Sequence, residues 1–159
     1  MIDMINAISI RLALPSEREV LEALQWRASL NNPNDREALL AHRDAISLPM
    51  EQIAAGQVYV AENGQQIVGF AALLPREERA MELDGLFVEP HFWRRGAGRL
   101  LVNHCCRVAR KNGAAVLRVI GNPHAEAFYE ACGFAVTGRE KTRFGFGLLM
   151  TKELQLTPV

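Results

Sequence analysis

Two glycines and three arginines sit together in "VEPHFWRRGAGRLLV" (88–102), between a strand-like run and a helix-like run. Gly96 and Gly98 let bare backbone come close to a ligand, and Ala97 between them adds little bulk. The first amides of a helix have no partner within it, and they point at whatever the positive end of the helix faces. Phosphate-binding loops are built this way. Arg94, Arg95 and Arg99 can be read as a solvated basic rim. Cations at a positive helix end are nevertheless unfavourable unless an anion compensates them. The stretch therefore asks for an anion.

Two familiar loops fail the test of spacing. A Walker loop needs Gly-Lys-Ser/Thr after its second glycine, and here Gly98 is followed by Arg99-Leu100. A dinucleotide fingerprint needs a third glycine where Leu101 stands, inside an early βαβ unit.

A second kind of chemistry is available upstream. Glu82 and Asp84 lie two apart in "MELDGLFV", so a strand puts both carboxylates on one face. Carboxylates in an otherwise apolar run are unusual, and one of them can serve as a proton acceptor. In "NPHAEAFYEACGF" (122–134), helical spacing groups Phe128 with Ala125 and Cys132 as a core face, which leaves Tyr129 to a functional role. His42, His91, His104 and His124 share no spacing that a metal site requires, and they read as surface or capping residues. No metal is expected.

The elements that must position these residues follow from periodicity. "ISIRLAL" (8–14) is a strand, and Ser16 with Glu19 forms a capping box opening a helix with Leu21, Leu24 and Ala28 on its apolar stripe. A second helix is expected over 35–46 and a short one over 50–55. Asn63-Gly64 marks a hairpin between two β-rich runs, and 81–88 is a third strand. A helix over 98–112 ends at Gly113. A buried strand (115–121), a helix started by Asn122-Pro123 and closed by Gly133, and two final strands complete the order. This predicts one α/β domain, residues 1–159, with a mixed sheet. The crossover helix forces the strands at 81–88 and 115–121 to run parallel.

Bulk properties narrow the partners. With 159 residues, 49% apolar and 23% charged, the chain has the balance of a soluble globular domain. Eighteen basic residues cancel eighteen acidic ones, which argues against nucleic acid or a membrane surface as partner. Three cysteines, two of them adjacent, make no disulfide framework, so a cytoplasmic location and buried thiols are expected. No run reaches the roughly 20 apolar residues of a membrane span, and "MIDMINAISI" lacks the marks of a signal peptide.

"LDGLFVEPHFWRRGAGRLLV" resembles the pyrophosphate-binding segment of the GNAT N-acetyltransferase superfamily, whose core is Gln/Arg-x-x-Gly-x-Gly/Ala. Gly96 and Gly98 fall on its small positions, while Trp93 replaces the usual first residue. "NPHAEAFYEACGF" is similar to a second segment of that family, N-x-x-A-x-x-L/F-Y-x-x-x-G-F, matched by Asn122, Ala125, Phe128, Tyr129, Gly133 and Phe134. One helix and one strand separate the two, in the family's order.

The resemblance implies a mixed twisted sheet, flanked by helices, whose parallel central strands splay apart. It implies acetyl-CoA as co-substrate, with its pyrophosphate on the amides from Arg94 through Arg99. The backbone of Leu86, Phe87 and Val88, with Asn122, would meet the pantetheine arm. It also implies Glu82 as the base, directly or through water, and Tyr129 as the donor to the departing thiolate. The acceptor would be a primary amine, on a small molecule or a protein N-terminus. Its walls come from 26–55, where Trp26 can line the groove or pack in the core, and from 137–147, where no motif speaks. A homodimer through the last strands is common in the family, and the oligomeric state stays open. A non-catalytic acyl-CoA-binding domain is the alternative reading.

Overall fold

The computed structural model describes residues 8–77 and 79–155. The first seven residues, part of the stretch read as lacking a signal peptide, lie outside it. Seven strands form one mixed sheet: β1 (Ile8–Leu12), β2 (Val58–Asn63), β3 (Gln66–Pro75), β4 (Ala80–Val88), β5 (Val116–Gly121), β6 (Ala135–Thr142) and β7 (Gly145–Glu153). Their spatial order is β1-β2-β3-β4-β5-β7-β6. Five helices interrupt them: α1 (Arg18–Leu30), α2 (Pro33–Ala41), α3 (Met50–Ala54), α4 (Ala97–Lys111) and α5 (Glu126–Ala131).

β4 and β5 pair in parallel, as the α4 crossover requires. The ladder joins Ala80–Leu83 to Val116–Val119 and stops there, short of the strand ends at Val88 and Gly121. The β2–β3, β5–β7 and β6–β7 pairs are antiparallel.

Contacts divide the chain into two compact units. Of the described residues, one comprises 8–72 together with Gly85–Leu101; the other comprises 73–77, 79–84 and 102–155. In the first, Leu21 and Leu24 of α1 pack with Leu48, Ile53, Val58, Val60 and Phe70, and Phe87 closes on that cluster, its ring centroid 5.4 Å from that of Phe70. In the second, Leu83, Leu117, Val119, Tyr129, Phe134 and Met150 are buried.

Several local expectations shift. The capping residue ahead of α1 is Glu17, not Glu19: its Oε1 accepts from the Leu14 amide at 2.8 Å. Pro15 opens a 3-10 turn that moves the helix start to Arg18, and Arg11 holds the Glu17 carboxylate at 2.7 Å and 3.0 Å. The hairpin loop is Gly64-Gln65, because Asn63 is still paired with Gln66. Gly64 has φ +65°, as a glycine-first primed turn needs. The second helix spans 33–41 and gives way to a 3-10 turn at 43–45. α4 ends as expected: Ala114 N–H reaches Ala109 C=O, Gly113 N–H reaches Arg110 C=O, and Gly113 has φ +82°.

Candidate active site

In the first unit, β4 runs into the arginine loop through a tightly bonded turn. Pro90 starts a 3-10 turn whose Phe92 is buried, and the Arg95 guanidinium lies 5.2 Å from the centre of that ring. Trp93 donates its indole N–H to the Val88 carbonyl at 2.8 Å, so this residue serves the loop itself. β3 passes close beside: a Cβ at Gly69 would stand 2.9 Å from the Phe87 carbonyl oxygen. Leu86, Phe87 and Val88 are half-buried.

The loop's backbone is unusual in a specific way. Arg94 has φ +65° and Gly96 has φ +89°, with Arg95 between them outside the left-handed region. A left-handed residue that is not glycine costs about 1–2 kcal/mol, so something must compensate at Arg94. Left-handed residues in a loop are one component of the backbone nests that fit anions. α4 begins at the next residue, so the amides of Ala97, Gly98 and Arg99 fall in its first turn. Arg94, Arg95 and Arg99 are exposed, and a Cβ at Gly96 would meet nothing within 4 Å. The left-handed backbone, the helix end and the cations suit a phosphate-bearing ligand.

The same unit holds a groove of about 430 Å³ between the end of α1, α2 and the segment Glu89–His91. On its wall Arg27 grips Glu89, Nε to Oε1 at 3.0 Å and Nη2 to Oε2 at 2.6 Å. Nothing in the sequence motifs pointed to this pair.

The second unit holds Glu82, Asn122 and Tyr129. Glu82 and Asp84 do share a face, and Arg76 bridges them, at 3.2 Å from Glu82 and 3.7 Å from Asp84. The Glu82 side chain is 14% exposed and that of Asp84 40%, so Glu82 is the more sheltered carboxylate. Arg76 is held protonated above its ordinary range, chiefly by its hydrogen bonds to Glu82. The side-chain oxygen of Asn122 accepts from the His124 amide at 2.9 Å and caps the turn leading into α5.

Tyr129 departs from the sequence reading. It is Tyr129 that is buried, 6% exposed, while Phe128 is half-buried. Residues 123–125 form a 3-10 turn before α5 proper starts at Glu126. Ala125, Phe128, Tyr129 and Cys132 stand at i, i+3, i+4 and i+7, so one helical stripe holds all four and Tyr129 shares the core face. Its ring meets Phe128 and Phe134 edge-on, with centroids 5.1 Å and 5.5 Å away. Gly121 makes room for it, since a Cβ there would lie 3.2 Å from Tyr129 Cε2 and 2.5 Å from Met150 Cε. Burial pushes the phenol's pKa well above its ordinary value, so the ring stays protonated and can donate. Burial likewise raises the thiol pKa of Cys105 to about 12 and pushes that of Cys106 up.

Residues 20–134 match the family model described as the acetyltransferase (GNAT) family. The chain belongs to that family. It is an acetyltransferase enzyme, with N-acetyltransferases among its similar proteins. A peptidyl-lysine N-acetyltransferase, YjaB of Escherichia coli, is 31% identical over 135 residues, covering 84% of this chain and 86% of the relative. A GCN5-related N-acetyltransferase from Rhodopseudomonas palustris superposes with a TM-score of 0.74 at 24% identity, over 92% of this chain and 95% of that one. The PaiA N-acetyltransferase of Thermoplasma acidophilum, solved in complex with coenzyme A, gives 0.73 at 19% identity, over 92% and 98%. The mixed sheet flanked by helices is thus the GNAT fold. Among the described residues, no helix is long and apolar enough to cross a membrane, and no three metal-capable side chains converge.

Proposed function

We propose that this GNAT enzyme moves an acetyl group from acetyl-CoA to a primary amine. The observation that carries the reading is the pair of left-handed residues, Arg94 and Gly96, that leads directly into α4. Backbone amides from Arg94 to Arg99 would hold the pyrophosphate, with the three exposed arginines adding charge around it. Acetyl-CoA supplies the acetyl thioester that the amine attacks. The backbone N–H groups of Leu86 to Val88 would hold the pantetheine arm as an added strand and polarise the thioester carbonyl. Asn122 contributes to the same arm.

An alkylamine has a pKa near 10.4, so roughly one molecule in a thousand is neutral at pH 7. A proton must leave before nitrogen can attack. Glu82 accepts it, directly or through water, while Arg76 fixes the direction of the carboxylate. As the C–S bond breaks, Tyr129 donates its phenolic proton to the departing thiolate.

The similarity to a peptidyl-lysine N-acetyltransferase supports a lysine side chain as one acceptor, beside small amines and protein N-termini. The test is acetyl-CoA-dependent release of CoA thiol across lysine peptides, N-terminal peptides, polyamines and amino acids. Turnover with any of these classes supports the reading, and none with all of them contradicts it.

A further inference from the structure

Among the described residues, Glu89 is the one charged side chain that is buried, at 8% exposure. It is also the first residue after β4 and the last before the turn into the arginine loop. Its backbone is pinned at both ends. The amide donates to the Val68 carbonyl at 2.8 Å, and the carbonyl accepts from the Phe92 amide at 2.8 Å. Its carboxylate takes the two-point grip of Arg27, which lies in the last turn of α1.

Stability alone is a poor explanation for such a pair. Half of the Arg27 side chain stays exposed while Glu89 gives up most of its water, and a pair so partly solvated adds little net stability. A guanidinium fork offers something an apolar pair does not, which is a fixed direction. From Glu89 the chain continues through Pro90, buried Phe92 and the Trp93–Val88 bond to the left-handed Arg94. Each step leaves little rotational freedom. An error in the placing of Glu89 is therefore passed on to the arginine loop.

We propose that Arg27 and Glu89 are a positioning pair for the anion loop, tying its first residue to α1 so that its amides are arranged before the ligand arrives. This rests on the acetyl-CoA reading above. Neither residue touches the co-substrate; they act through the loop, and a loop ordered in advance loses less freedom on binding.

The experiment compares wild type with Glu89→Gln, Arg27→Lys and the apolar pair Arg27→Met/Glu89→Met. Each is measured by thermal melting, calorimetry with CoA, and steady-state kinetics with acetyl-CoA. The apolar pair should melt within a few degrees of wild type while its KM for acetyl-CoA and Kd for CoA rise about tenfold, with kcat at saturation nearly unchanged. Glu89→Gln should shift the same constants in the same direction. Arg27→Lys, a point charge in place of the fork, should show a smaller rise. If Glu89→Gln does not fold, the other two variants decide. An apolar pair with wild-type melting and wild-type KM would overturn the proposal and leave the acetyl-CoA reading intact. A wild-type protein that does not bind CoA would overturn both.

Discussion

Arg76 holds Glu82 at two points, Nε 3.3 Å from Oε1 and Nη2 3.2 Å from Oε2. Asp84 receives only the edge of the same guanidinium, at 3.7 Å. The carboxylate assigned to proton removal is thus the one that Arg76 holds at two points. Glu82→Gln should lower kcat by about 10²-fold at pH 7, in the range of general base catalysis. The deficit should shrink as pH approaches the amine's own pKa near 10.4, where substrate arrives already neutral. Asp84→Asn should have the milder effect. A pH–rate profile of both variants checks this, and the opposite ranking would move the base to Asp84.

Tyr129→Phe should lower kcat and leave CoA affinity close to wild type. Because burial raises the pKa of this phenol above its ordinary value, any loss of wild-type kcat from its ionisation should be displaced to higher pH than for a free phenol. Gly121→Ala should resemble it. The added methyl presses on the Tyr129 ring and on the Met150 end group, and repacking of that kind costs about 1–3 kcal/mol. Kinetics with a parallel melting curve separates the two parts. Full activity in both variants would remove Tyr129 from the mechanism.

Glu17 gives a pH-dependent contribution to stability. Hydrogen bonds from Arg11 hold its carboxylate below the ordinary value of 4.5, with the Leu14 amide assisting. A lowered folded-state pKa means that the unfolded chain binds the proton more readily. The contribution is therefore present above about pH 4.5 and fades as pH falls through the folded value. Glu17→Gln should cost about 1–2 kcal/mol at pH 7, discounted for the partial exposure of Arg11, and less at pH 3. Denaturant melts at both values measure it. An equal loss at both would show that the charge contributes nothing.

The β4–loop–α4 unit and the second motif were legible because glycine spacing and element order constrain them locally. Gly113 and Gly133 are left-handed helix stops, at φ +82° and +97°, as expected from their places. Tyr129 lies on the core side because it stands four residues after Ala125 and three before Cys132, inside the same stripe that Phe128 marks. The capping residue was missed because Pro15 and Arg11 together favour Glu17, one across the turn and one from a neighbouring strand. Arg76 and Glu82 lie six residues apart, and Arg27 and Glu89 sixty-two. Neither pairing has a periodic signature. Only the fold brings such partners together, so these side-chain pairings were hidden where the backbone pattern was not.

The loop from Arg94 to Arg99 is expected to receive the pyrophosphate of acetyl-CoA. Gly98, half-buried in the first turn of α4, is the position to test by calorimetric titration of wild type and Gly98→Val with acetyl-CoA. A branched side chain there blocks close approach of phosphate to the amides. Wild type should bind, and Gly98→Val should bind at least about tenfold more weakly while melting within a few degrees of it. Equal affinities in the two proteins would contradict the account.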